Sequence, residues 1–165
     1  MSQLTANRLR EVLSFDSSTG SMCWSKPPSP SRVKPGQVAG SVAKSGYLTI
    51  RIDRTLYLAH RLAWLYVHGE WPTQKIDHIN GDKHDNRIAN LRLATDRVNA
   101  QNVRKPQANN TSGFLGVTFC RWTNRWLAQI QTGGKHHNLG RFDAPELAHA
   151  AYLQAKRRLH EGSTL

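Results

Sequence analysis

Residues 76–102, IDHINGDKHDNRIANLRLATDRVNAQN, constrain the chain more than any other stretch. Ile76 and Ile79 bracket a short apolar run that breaks at Asn80-Gly81-Asp82, where Asn-Gly supplies the positive φ of a tight turn. After a polar excursion, Leu91-Arg92-Leu93 alternates as a half-buried strand does. Thr95 suits an N-cap and Asp96 suits the positive end of a helix dipole, so a helix carrying Val98, Asn99 and Asn102 is expected next. The order is strand, loop, strand, helix. Asp77 and His78, neighbours on the first strand, then point to opposite faces. One faces the space between strand and helix, and the other faces outward to a substrate.

These residues resemble the HNH endonucleases with the ββα-metal fold, of homing and phage type. The resemblance is close over residues 76–102 and extends upstream through AHRLAWLYVHGEWP. It implies that Asp77 is a metal ligand and His78 the general base. It further implies that Asn90 bonds to backbone to fix the loop holding His78, and that Asn99 is the second protein ligand of the metal. Asparagine fills the third letter of the family name, as in many homing-type members. A neutral amide is the weaker ligand, so modest metal affinity is expected.

The residue types suit that chemistry independently. A histidine titrating near neutrality takes a proton from water at physiological pH, provided it is not itself bound to metal. A carboxylate and an amide oxygen are hard ligands that leave several positions of an octahedral ion open, which suits Mg2+, with Mn2+ as a substitute. Such an ion stabilises charge on the phosphate and on the leaving 3′ oxygen, giving a 5′-phosphate and a 3′-hydroxyl. The bland alternative makes His78 an ordinary strand histidine and Asn80, Asn86, Asn90 and Asn99 turn and cap residues.

Composition bounds the rest. Of 165 residues, 38% are hydrophobic, which argues for two or three small modules rather than one large core. A net charge of +12 points to a polyanionic partner, by default nucleic acid, although charge alone would also suit an anionic membrane; with the nuclease resemblance, the partner expected is double-stranded DNA. No apolar run approaches the length of a membrane span, and the N-terminus lacks a signal-peptide core, so a cytoplasmic protein without a membrane partner is expected. Cys23 and Cys120 lie far apart without zinc spacing, so neither a disulfide nor zinc is expected.

Leu9, Val12 and Leu13 predict a short amphipathic helix within residues 4–15, followed by a polar turn at 16–20 and a proline-rich loop at 26–36. Leu48, Ile50 and Ile52, then Leu56 and Leu58, predict a hairpin turning at Asp53-Arg54. Its Arg51 and Arg54 either contact phosphate or only keep the hairpin soluble. Residues 59–68 form a helix with Leu62, Ala63, Trp64 and Val67 on one side, ending at Gly69. His60 reads as a polar residue packed between hairpin and helix, His68 as a last-turn residue, and His84 as a surface residue.

Residues 103–111 read as a linker, either a tether or a segment tracking the duplex with Arg104 and Lys105 at phosphates or in the minor groove. Beyond it, alternation at Val117 and Phe119, then at Trp126, Ala128 and Ile130, and a Gly133-Gly134 turn predict three antiparallel strands. Asp143 and Glu146 suggest a capping box opening a helix with Leu147, Ala148, Ala151, Tyr152, Ala155 and Leu159 on its apolar face. The open sheet face would carry Thr118, Trp122, Arg125, Gln129, Gln131 and Asn138, able to bond base edges or phosphates. Through SGFLGV, RWLAQI, LGRF and the alanine-rich helix, this part resembles the plant ethylene-response-factor (APETALA-type) DNA-binding domain. That resemblance implies a sheet in the major groove. Leu115, Thr118, Cys120, Gln129 and Gln131 stand where plant members carry arginines, so their GC preference does not carry over, and the glutamines suggest adenine.

The expected fold class is α+β: an N-terminal hairpin and helix region, a central ββα-metal nuclease unit, and a C-terminal three-stranded sheet on one helix. The expected organisation is a nuclease domain at 1–102, the linker at 103–111 and a DNA-binding domain at 112–165. Three functions are compatible with it: a site-preferring endonuclease that nicks as a monomer or cuts both strands as a homodimer, a DNA-binding regulator with a vestigial site, and an RNA-binding or RNA-cleaving protein.

Overall fold

Short elements closed by turn-forming residues build the chain, described from a computed structural model over residues 3–29, 32–107, 109–160 and 162–163. Two compact units comprise residues 1–95 and 96–165. Pro30 and Ser31 of the proline-rich loop and Ala108 of the expected linker lie outside the described residues.

In the first unit, the Thr5 hydroxyl accepts from the Arg8 N–H at 3.2 Å and opens helix α1 (Ala6–Val12), which buries Ala6, Leu9 and Val12. The helix is shorter than its apolar spacing suggests. Leu13 turns extended and begins strand β1 (Leu13–Asp16), antiparallel to β2 (Ser21–Trp24), so that Leu13 faces Trp24 and Phe15 faces Met22. These cross-strand apolar pairs outcompete another helical turn. Strands β3 (Ser41–Val42), β4 (Leu48–Ile52) and β5 (Thr55–Leu58) form a second sheet in that order. Its tight turn places Asp53 and Arg54 at φ 45° and 69°, matching the twist of a two-residue hairpin loop.

Helix α2 (Ala59–His68) follows directly and stops at Gly69, whose φ of 80° is the left-handed C-terminal geometry. Its buried side runs through Ala59, Leu62, Ala63 and Leu65, while Val67 faces solvent. Leu9, Leu13, Ile50, Ile52, Leu62 and Leu65 form one core with Ile76 and Leu91. The last two belong to strands β6 (Lys75–His78) and β7 (Leu91–Ala94), an antiparallel pair that this core supports from below.

The second unit begins with helix α3 (Asp96–Gln101). Strands β8 (Val117–Cys120), β9 (Arg125–Thr132) and β10 (Lys135–Phe142) form an antiparallel sheet with β9 central, and helix α4 (Pro145–Leu159) packs on one face. Val117, Ala128 and Ile130 meet Ala148, Tyr152 and Ala155 there. Gly116, at φ 69°, has no room for a side chain, because a Cβ would overlap the Tyr152 ring. Asn110 closes the approach to the sheet: its Oδ1 accepts from the N–H groups of Ser112 and Gly113, and its Nδ2 donates to the Phe114 carbonyl. The Lys156 side chain is fully buried and donates to the Val103 carbonyl, two residues past α3. The Gln101 side-chain oxygen accepts from the Gly162 N–H at 3.2 Å.

One expectation changes here. Helix α4 starts at Pro145 with Ala144 as its N-cap and no side-chain cap. Asp143 instead pairs with Arg125 through two bonds of 2.8 and 3.0 Å. A forked ion pair across the sheet end wins over a single bond to a helix N–H.

Candidate active site

The β6–β7 register sets Asp77 opposite Arg92 and His78 opposite Leu91. Asp77 and His78 therefore occupy opposite faces of β6, and both are buried. On one face, the Arg92 guanidinium donates twice to Asp77 Oδ2, at 2.9 and 2.8 Å. On the other, His78 Nε2 lies 3.1 Å from Asn86 Oδ1.

The connection between the strands is stitched by its own side chains. The Ile79 N–H bonds to the Asn90 carbonyl at 2.8 Å, continuing the ladder by one step. Asn90 Oδ1 accepts from the Asn80 N–H at 2.9 Å, and its Nδ2 donates to the Asp85 carbonyl at 2.8 Å. One amide thus spans both ends of residues 80–85. Gly81, at φ 73°, turns the chain and donates to the His78 carbonyl. Asp85 accepts from the Arg87 guanidinium and from Asn80 Nδ2, and the Arg87 bonds above all hold its carboxyl down at about 2.

His60, from the first turn of α2, brings its ring edge-on to His78 at 5.0 Å between centroids, and Tyr47 flanks both. It is 5% exposed, and burial, with smaller contributions from His78 and Arg61, pushes it down to about 4. It is therefore neutral at pH 7. His68 stacks near Trp64 at the end of α2, and His84 is exposed.

Of the residues singled out from sequence, Asp77, His78 and Asn90 meet on this hairpin, whereas Asn99 sits exposed on α3 in the second unit. His60 is packed between hairpin and helix, as the sequence suggested, but its contact with His78, like that of Asn86, was not expected. His60 precedes the buried Ala63 by one helical turn, the signal that it belongs to the inner face. Asn86 carried no comparable signal among the polar residues around it.

The basic and polar residues have a different setting. Arg51 and Arg54 border a groove of about 1020 Å³ that also meets Arg8, Lys26, Pro27 and Pro28. Arg104 is half-buried and Lys105 exposed. On the sheet face away from α4, Thr118 and Gln131 are exposed and Gln129 half-buried. Asn138 is exposed and uses its oxygen to bridge the β10 bulge to the Gly140 N–H. Trp122 stands not on the sheet but in the β8–β9 turn, 94% exposed.

Comparison with known proteins bears on this arrangement. The HNH endonuclease family profile matches residues 57–101, from β5 through α3. Protein 3.8 of Escherichia phage T7 is 32% identical over 102 residues, 61% of this chain and 83% of that protein. A solved structure of DNA binding and cleavage by the HNH homing endonuclease I-HmuI aligns at a TM-score of 0.45 with 17% identity, over 98% of this chain and 95% of that one. With an HNH profile centred on the β6–β7 hairpin and a phage relative covered over most of its length, the chain belongs to the HNH endonuclease family.

Proposed function

We propose that the protein is a site-preferring, metal-dependent DNA endonuclease that hydrolyses a phosphodiester to a 5′-phosphate and a 3′-hydroxyl. The observation that carries this reading is the placement of buried Asp77 and His78 back to back on one strand, beside a loop locked by Asn90.

His78 takes the proton of the attacking water. It is 4% exposed and packs against Asn86, Tyr47 and His60. Asn90 has no contact with the chemistry in this scheme. It holds the peptide groups of Asn80 and Asp85 and so fixes the loop that follows His78.

Asp77 would hold a divalent cation, with Asn99 the second ligand that the resemblance to HNH endonucleases implies. A carboxylate and an amide oxygen are hard donors that fit Mg2+ or Mn2+, and the Arg92 fork on Asp77 Oδ2 fixes the plane of that carboxylate. When bound, such an ion stabilises charge on the phosphate and the leaving oxygen.

The C-terminal sheet supplies the grip on double-stranded DNA in this reading, in the manner of the APETALA-type domain it resembles. Thr118, Gln129, Gln131 and Asn138 meet base edges or phosphates from the face opposite α4, Arg125 is held in place by Asp143, and Trp122 projects from the adjoining turn. Arg104, Lys105, Arg51 and Arg54 contribute phosphate contacts, consistent with a net charge of +12.

Supercoiled plasmid incubated with wild type and His78→Ala, with Mg2+ or Mn2+ and with chelator, tests the proposal. Conversion to nicked or linear DNA by wild type with metal alone is the expected result. The ratio of nicked to linear product then reports whether one copy or two act together. If both proteins bind DNA and neither cuts across several substrates, the site is vestigial and the protein a DNA-binding regulator.

A further inference from the structure

We propose that Lys83 binds a phosphate of the cleaved strand close to the reacting one, its ammonium set in place before DNA arrives by the Tyr47 ring and the Ser45 carbonyl. The proposal rests on the nuclease reading of the His78 hairpin.

Lys83 lies at the surface of the loop between β6 and β7, yet its side chain is not loose. It reaches to the turn between β3 and β4, 38 residues earlier, where Nζ donates to the Ser45 carbonyl at 2.8 Å and stands 4.5 Å from the centroid of the Tyr47 ring. The turn that receives it is itself closed. The Gly46 N–H donates to the Ala43 carbonyl at 2.8 Å, and the Ala43 N–H donates to the Tyr47 carbonyl at 2.9 Å. The lysine stem runs over Gly46, where a Cβ would stand 3.6 Å from Lys83 Cδ.

The same Tyr47 ring flanks His78, with 6.0 Å between centroids. Laid end to end, the two spacings put the ammonium at most 10.5 Å from the centre of the His78 imidazole. Successive phosphates of one strand advance by about 3.4 Å along the duplex axis. A cation within that radius therefore serves a phosphate only a few nucleotides from the one at His78.

Charge carries the other half of the argument. Arg87 and Arg92, further along the same hairpin, are each engaged by a carboxylate, that of Asp85 and that of Asp77. Among the described residues no carboxylate pairs with Lys83, and a carbonyl and an aromatic face hold an ammonium without cancelling its charge. Of the three donors on the ammonium, one is spent on Ser45 and two remain for phosphate oxygens. A stem already laid against the turn also has less rotamer freedom to lose when it grips an anion.

Anisotropy of a fluorescein-labelled duplex, with chelator present and across a salt series, tests the contact without any cleavage. Lys83→Met keeps the stem and removes the charge. Its affinity should fall about 3- to 10-fold at moderate salt, and its plot of log Kd against log salt should be shallower by about one. A lysine that only braces the turn would leave that slope alone, so an unchanged slope overturns the proposal. Tyr47→Phe keeps the ring and should bind as wild type does, whereas a folded Tyr47→Leu should keep the wild-type slope and lose about 2- to 5-fold in affinity. Equal affinities for these two variants overturn the role of the ring. In single-turnover cleavage with Mg2+, Lys83→Met should raise the DNA concentration at half-maximal rate and leave the saturated rate within about two-fold; the reverse pattern overturns the proposal. A wild type that never cuts while the slope changes as expected sinks the nuclease reading and leaves the phosphate contact standing. A wild type that cuts, with the slope unchanged in Lys83→Met, sinks the phosphate contact alone.

Discussion

The loop between β6 and β7 and the open face of the C-terminal sheet are comparably polar, yet they use their polar groups in opposite ways. In the loop, Asn80, Asp85, Asn86, Arg87 and Asn90 direct most of their hydrogen-bonding capacity into the protein, and Asn86 and Asn90 are buried. On the sheet, Thr118, Gln131 and Asn138 lie at the surface. Buried amides that satisfy one another fix a geometry, at a cost of about 1–3 kcal/mol for each partner left unmatched. Exposed amides have traded little water and can exchange it for a base edge with little loss. One region turns its polar groups inward to hold its own atoms still, and the other leaves them at the surface.

Substitutions sharpen that contrast. The largest expected effect on stability follows from His60, the most strongly displaced group beside His78. Its value falls from 6.5 to about 4 on folding because burial disfavours the charged ring. Between those pH values the unfolded chain binds a proton that the folded chain refuses. Stability is therefore flat above pH 6.5, falls as pH drops toward 4, and loses no more from this group below that. The slope integrates to at most about 3 kcal/mol. Urea unfolding of wild type and His60→Phe across this range checks it: the variant's curve should be flatter by that amount.

Asn90→Ala comes next. It strands the Asn80 N–H and the Asp85 carbonyl, so a loss of about 2 kcal/mol in unfolding free energy is expected, together with slower cleavage and unchanged DNA affinity. The smallest effect belongs to the sheet. Gln131→Ala should leave the unfolding midpoint in place and weaken DNA binding by about 1 kcal/mol, measured by fluorescence anisotropy at fixed salt. A stability loss on the sheet without an affinity loss, or the reverse in the loop, would break the contrast.

Much of this was legible in the chain. The hairpin at 48–58, helix α2 with Gly69, the β6–β7 pair and the three strands on a helix all follow from apolar periodicity joined to turn residues, because in each the pattern and the local chemistry agree. Asp77 and His78 fall on opposite faces by strand alternation alone. Contacts decided by tertiary competition were not legible. Leu13 fits a helix as well as a strand, and only its partner Trp24 decides. Asp143 suits a cap, and only the arrival of Arg125 from β9 diverts it. Asn86 looked like any turn residue, since nothing local reveals that a distant glycine, Gly20, backs its peptide.

The burial of Lys156 bears on how such a protein is cut apart and rejoined. The lysine reaches from α4 to the carbonyl of Val103, and Gln101 is held by Gly162, so helix α3 is moored at its C-terminal end by the last turn of α4 and by the glycine beyond it. A recombination breakpoint near residue 102, where sequence alone would draw the seam between two domains, would separate α3 from its mooring. A graft that exchanges the C-terminal unit is then expected to succeed only if the seam is moved upstream of Asp96, or if the incoming unit brings its own lysine and glycine. Modularity in this chain follows the packing rather than the motif.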